Sequence, residues 1–328
     1  MPALTSPSVP FGPSGAPTPD SSPERGPQPL SGPYDLAAAL LGRCTFPVAG
    51  TQLDCAVSGG VDSLALLVLA TAAACRVTAH HVDHGLRAES AAEADVVADA
   101  AGRFGAAFVS HRVEVGAGPN LEARARAARR RVLPPGAATG HTADDQAETI
   151  ILNLLRGAGL DGLAGMRPGP AKPILGLRRA DTAAVCAAAG LAPVRDPSNA
   201  DPAHLRNRVR HEVLPLLDVA AGRDVAAVLA RQAALLRDEA DALDELAAAV
   251  DPADCRALAT AAPAVARRAV RRLLAGEHPP GSAAVERVLA VARHEAAACE
   301  VDGGRAVRRS AGRLTVGPVA PAIRSTGE

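Results

Sequence analysis

Six residues, Ser58-Gly59-Gly60-Val61-Asp62-Ser63, join a short apolar run to a longer one and constrain the chain more than any other feature. The run before them, 52–57, has the length and composition of a strand. The run after them, 64–75, is too short to span a bilayer and reads as a buried helix. A glycine turn between strand and helix lets backbone amides approach an anion, the hydroxyls of Ser58 and Ser63 add donors, and the helix N-terminus adds positive potential. Phosphate is the ligand that fits. Such a turn can also be purely structural, but the flanking serines and aspartate favour a binding loop, with Ser58, Gly59, Gly60, Val61, Asp62 and Ser63 as its residues. The lysine of a Walker loop is missing, so transfer of a γ-phosphate does not follow.

Around this loop the chain alternates short apolar runs with longer helical ones. Strands are expected at 52–57, 76–82, 107–113 and 136–140, and helices at 64–74, 89–104, 120–132 and 142–157, with Asn120 as a helix cap. That order predicts an α/β fold, a parallel sheet with helices on both faces. Ten of the 27 prolines fall in residues 1–33 among serines and glycines, so that stretch reads as a disordered tail. The catalytic unit is then 34–217. Beyond Pro215 strand signals stop, a helix is expected over 223–250, and 218–328 reads as a smaller, mainly helical unit with a terminal hairpin at 307–309 and 314–316.

At 328 residues two domains and a tail are expected. Aromatic residues make up 2% of the chain, so Ala, Val and Leu must fill the core, and stacking platforms for single-stranded bases are unsupported. The total charge balances, but residues 1–166 carry 12 basic against 16 acidic side chains and the remainder 23 against 19. A basic second half permits a polyanionic partner, while an ordinary solvated helical surface would give the same imbalance. Six cysteines at 44, 55, 75, 186, 255 and 299 form no C-x-x-C pair, which suits reduced thiols in the cytoplasm. No signal peptide or membrane span is expected.

Asp144, Asp145 and Glu148 lie three and four residues apart on the helix at 142–157 and can share a face. Like charges this close are costly unless a cation or an amine lies between them, although acids also favour any solvated helix N-terminus. His81 and Asp83 share one strand face but lack further zinc ligands, so the loop at that strand's carboxyl end reads better as part of a nucleotide site. Gly157 to Gly162 fits G-x-G-x-x-G, yet it follows a helix and not a strand, against a dinucleotide site.

The loop at 58–63 resembles that of the PP-loop, adenine nucleotide α-hydrolase-like ATP pyrophosphatases, which cleave ATP between the α- and β-phosphates. More of the chain is similar to one such family, the tRNA(Ile)-lysidine synthetases in their short form. The similarity lies in His81-Val82-Asp83-His84-Gly85-Leu86-Arg87, in Asn120-Leu121-Glu122-Ala123-Arg124-Ala125-Arg126, in the block GHTADDQAETIILNLLRGAGLDGLAGM that begins at Gly140, in Asp196-Pro197-Ser198-Asn199 and in Arg206-Asn207-Arg208-Val209-Arg210. Arg130 stands where an aromatic residue is expected, and Thr142 where many relatives have histidine.

The resemblance implies a ligase that uses ATP and Mg²⁺. The wobble cytidine of tRNA(Ile) with a CAU anticodon is adenylated, and the ε-amine of free L-lysine then displaces AMP to give lysidine. A lysine amine of pKa about 10.4 lies ~3.4 units from its neutral form at pH 7, a handicap near ~4.6 kcal/mol, so a carboxylate must take the proton. Asp62, Asp145 and Glu148 are the catalytic candidates, with Asp62 and Asp144 at the metal. Arg126, Arg206, Arg208 and Arg210 are candidates for phosphate contacts, Arg206 and Arg210 being four apart on one helix face; surface salt bridging is the competing role for each. An oligomer is compatible with the sequence. A tRNA thiolase, or a non-catalytic ATP-binding module, are the alternative functions.

Overall fold

The computed structural model describes residues 33–83, 85, 90–114, 116, 118, 121–194, 201–276 and 280–319. The expected tail lies outside these residues except Pro33, which opens helix α1 (Pro33–Leu41). His84, Asn120 and the Asp196 to Asn199 motif also lie outside them.

Next come β1 (Gln52–Ala56), α2 (Val61–Ala72), β2 (Arg76–Asp83), α3 (Ser90–Arg103), β3 (Ala107–Arg112), α4 (Leu121–Val132), β4 (Ala138–Thr139) and α5 (Ala143–Leu155). The four strands are parallel in the order β3-β2-β1-β4, with the loop strand β1 central. Helix α2 explains the long apolar run: every residue from Ser63 to Ala70 is buried, with Leu64, Leu66, Leu67 and Leu69 at 0% exposure. A helix buried all round must sit between layers. It packs on Leu53, Cys55, Val57, Val77 and Ala79 of the sheet and against Val185 and Cys186. In register across the sheet, Cys55 is flanked by Ala79 and Ala138, so small side chains floor this core in place of rings.

The chain continues through α6 (Leu160–Leu163), α7 (Arg179–Ala188), α8 (Leu205–Arg208), a π-helical stretch at Val209–Val213, α9 (Leu214–Ala221) and α10 (Val225–Ala248). Helix α9 runs across the unit boundary expected at 217. The chain then folds α11 (Cys255–Thr260), α12 (Pro263–Leu273) and α13 (Ser282–Ala292) around a second core with Leu258, Val270, Leu274, Val285 and Leu289. The expected hairpin is present as β6 (Arg305–Ser310) and β7 (Arg313–Pro318). A third antiparallel strand, β5 (Ala298–Val301), joins β6 and was not expected. Ala147, Ile151 and Leu152 of α5 pack on Val209, Leu214 and Ala226, which welds α9 and α10 to the catalytic half.

Candidate active site

The loop closes on itself through its serines. Ser63 Oγ donates to Gly60 O (2.9 Å) and accepts from Ser58 N (3.1 Å), and the two hydroxyls are 3.2 Å apart. Ser63 is buried and shapes the loop, whereas Ser58 is exposed and keeps its hydroxyl at the mouth. Gly59 has φ +87, a backbone state that favours glycine. No side chain caps α2 at Gly60, so the amides of Val61 and Asp62 remain available to an anion, while Ser63 N donates to Gly60 O (3.1 Å). Gly140, after β4, crosses the loop so closely that a Cβ would lie 2.6 Å from Asp62 O. This contact locks the block that begins at Gly140 onto the phosphate loop.

From there Thr142 caps α5. Thr142 N and Thr142 Oγ1 both donate to Asp145 Oδ2, at 2.9 and 3.0 Å, so threonine meets at this position the local demand of a helix start. The rest of α5 grips the following loop. Gln146 pairs with both backbone groups of Met166 (3.0 and 2.8 Å), and Asn153 donates to Gly162 O (2.8 Å). The G-x-G-x-x-G segment is therefore held as a strap over α5.

Asp145 and Glu148 do share one face, but the cations opposite them are guanidinium groups. Glu148, at 0% exposure, accepts from Arg206 Nε (2.7 Å) and Arg210 Nε (2.6 Å), with Arg179 at 3.4 Å. Asp145 Oδ1 faces Arg179, Arg206 and Arg210 at 3.2, 3.3 and 3.5 Å. Arg179 also reaches Asp62 Oδ2 at 3.5 Å, and Thr182 Oγ1 donates to Asp62 Oδ1. Three carboxylates thus face three arginines. Burial pushes the Asp62 carboxyl above its usual range, only partly offset by Thr182 and Arg179.

Two of the candidate residues stand apart from this cluster. Asp144, expected at the metal, points elsewhere: Arg178 forks onto both its oxygens (2.8 and 3.0 Å) and Arg179 N donates to it (2.7 Å), and although burial works the other way these contacts hold its carboxyl below the usual range. Arg208 leaves the cluster that Arg206 and Arg210 join. Two residues from each, it faces the other way and lines a cavity of about 190 Å³ with Asn207, His211 and Glu212. Arg126 is exposed on α4, where its charge helps lower the pKa of the neighbouring Arg129, burial being the main cause.

Arg179 and Thr182 were missed in the sequence, since no motif marks them. Cys186, one of the cysteines expected as reduced thiols, packs beneath the loop, where its thiol donates to Val61 O (3.3 Å) and is pushed up to about 12 by burial. All six cysteines are free, and burial raises every one of their pKa values. His81 bonds Val57 O through Nδ1 (3.1 Å), while His80 spans Asp54 and His111 at 3.0 and 2.9 Å. His141, beside the cluster, is lowered to about 4 by burial, with Lys172, Arg206 and Arg129 adding to the effect. Lys172 closes the turn at Gly169 by donating its amide to Gly169 O (2.8 Å).

Residues 38–217 match the PP-loop domain family, and residues 254–315 match the TilS substrate binding domain family. A tRNA(Ile)-lysidine synthase from Nocardia farcinica is 44% identical over 245 residues, covering 70% of this chain and 77% of that protein. One from Salinispora arenicola is 43% identical over 310 residues, covering 83% and 92%. Among solved structures, the U34-tRNA thiolase NcsA from Methanococcus maripaludis aligns with a TM-score of 0.47 at 16% identity, over 62% of this chain and 78% of that one.

Proposed function

The chain belongs to the tRNA(Ile)-lysidine synthase family, PP-loop ligases that use ATP, and on that premise we propose that it joins free L-lysine to the wobble cytidine of tRNA(Ile) with a CAU anticodon. In the first step the cytidine O2 attacks the α-phosphorus, the bond to the β-phosphate breaks and pyrophosphate leaves. In the second the lysine ε-nitrogen attacks C2, the bond from C2 to the AMP oxygen breaks, and the amine gives up a proton.

The observation that carries this reading is the position of Arg179, which joins Asp62 of the phosphate loop to Asp145 and Glu148 of α5 in one network. Both ligands can enter this network by exchanging partners. The ATP phosphates claim guanidinium groups from Arg179, Arg206 or Arg210, for which a phosphate is as good a fork partner as a carboxylate. The carboxylates so released meet the lysine ammonium. Glu148 or Asp145 then takes the amine proton, a step closed to Glu148 while its arginines stay in place. The loop amides and these arginines stabilise the charge that builds on the α-phosphate.

A Mg²⁺ ion that arrives with ATP fits Asp62. That carboxylate has one short hydrogen bond, and Mg²⁺ is commonly held by one or two carboxylates plus substrate phosphates. When bound it would neutralise phosphate charge. Asp144, engaged by Arg178, is not needed for this role. Arg126, Arg208 and the basic surface of 254–315 are the proposed contacts to tRNA phosphates, and the cytoplasm is the proposed compartment. No helix among the described residues is long and apolar enough to cross a membrane.

The test is release of AMP and pyrophosphate with a panel of tRNAs, with and without lysine. Lysine-dependent AMP release confined to tRNA(Ile) with CAU supports the reading. Turnover that ignores lysine, or no turnover with any tRNA, would overturn it.

A further inference from the structure

Arg178 and Arg179 are adjacent at the start of α7 but serve different regions. Arg179 reaches into the carboxylate cluster. Arg178 forks onto Asp144 with Nε and Nη2 at 3.0 and 2.8 Å, and its remaining Nη1 pairs with Asp224. Asp224 caps α10, accepting from Ala227 N at 3.2 Å. One guanidinium therefore ties together three helix N-termini. Two of these, those of α5 and α7, carry Asp145 and Arg179. The third begins the 24-residue rod α10, which leads to the residues that match the substrate binding domain.

The rest of α10 is fixed to the strap over α5. Arg237 donates to Ala164 O (2.9 Å) and Met166 O (3.0 Å), Arg167 forks onto Asp241, and Arg268 of α12 bridges Asp161 and Asp244. These straps hold the rod's side and far end. At its near end, where Ala226 packs against Ala147, Ile151 and Leu152, Arg178 adds a charged link to the helices that aim the catalytic groups. Two positive charges at the N-terminus of α7 oppose the helix dipole, so they need a purpose beyond helix formation.

We propose that Arg178 is a positioning residue that, with Asp224, sets the register between α10 and the catalytic carboxylates, so that a tRNA docked on the C-terminal unit is presented to a correctly assembled site. The proposal rests on the reading above for its substrate but concerns residues that touch neither ATP nor lysine. Because misplacement of reacting groups by about an ångström lowers rates steeply, losing the pair should lower turnover far more than it weakens either ligand. Asparagine caps helices as well as aspartate does, so Asp224→Asn removes the charge while preserving the start of α10.

The experiment measures, on the full chain, ATP affinity, the KM for tRNA, kcat for lysine-dependent AMP release and the melting temperature in Asp224→Asn, Arg178→Gln and the double variant. The expected result is a fall in kcat of about tenfold in Asp224→Asn, with ATP affinity and melting temperature near the parent values, and a double variant no slower than Arg178→Gln, since both changes break one link. Parent kcat in Asp224→Asn would overturn the proposal. So would losses that add in the double variant, or parallel losses in every readout, which mark a merely structural pair. If the parent itself shows no lysine-dependent AMP release, the functional reading fails first, and the outcome is told apart by that control.

Discussion

Arg210 Nε lies 2.6 Å from Glu148 Oε1, and the carboxylate it meets is fully buried. The pair spans 62 residues of sequence and fastens the π-helical stretch to α5. Glu148→Gln would leave three arginines facing one fewer charge. Breaking a buried ion pair in this way typically costs about 3–5 kcal/mol. Denaturant unfolding should show a loss of that order, and both pyrophosphate release and lysine transfer should fail together. A variant as stable as the parent that loses only lysine transfer would assign Glu148 to the amine alone.

Asp62 should behave in the opposite sense. Burial raises its carboxyl pKa in the fold, so the folded state binds a proton more tightly than the unfolded chain. Stability therefore falls as pH rises from the unfolded value of about 3.9 through the folded one, and the deficit persists at neutral pH. Asp62→Asn should melt no lower than the parent at pH 7, with the difference vanishing below pH ~3.9. Pyrophosphate release should drop by roughly a hundredfold or more. A variant that keeps its activity would remove Asp62 from the site.

His141 supplies a second pH signal. Burial and neighbouring cations hold it neutral down to about pH 4, while in the unfolded chain it titrates near 6.5. The unfolded chain binds more protons between those values, so stability should decline as pH falls through that window. The total is on the order of 3 kcal/mol, and His141→Gln should flatten this part of the curve. Urea midpoints at half-unit pH steps would show it.

Gly140→Ala tests the crossing at the phosphate loop. The added methyl would lie 2.6 Å from Asp62 O and 3.0 Å from Ser63 N, both backbone atoms, so the loop itself must shift. ATP affinity should fall at least tenfold by calorimetry, with helix content unchanged in circular dichroism. Parent affinity would mean that the loop tolerates displacement.

The phosphate loop was legible because its signal is local: a strand, glycines and a buried helix follow one another without a break. Arg206 and Arg210 were legible together for the same reason, as helical spacing puts them on one face. Arg179 was not. It meets Asp145 from 34 residues away, and only the fold creates that contact. The sequence did hold a trace of it, a basic pair at the start of a helix where the dipole disfavours positive charge. Strand β5 escaped notice because Ala298-Cys299-Glu300-Val301 is four residues long and buries only Val301. That Asp144 turns to Arg178 while Asp145 turns to the cluster was not legible, because spacing alone cannot tell which of two adjacent acids turns inward.

Lys172, half-buried in the turn with Gly169 and within electrostatic reach of His141, is the only lysine in the chain. Protein grown on isotopically enriched lysine would therefore carry a single enriched side chain, and it would stand at the rim of the cluster. Spectra recorded during titration with unlabelled amino acid or nucleotide would report on that rim through one resonance, with no assignment needed.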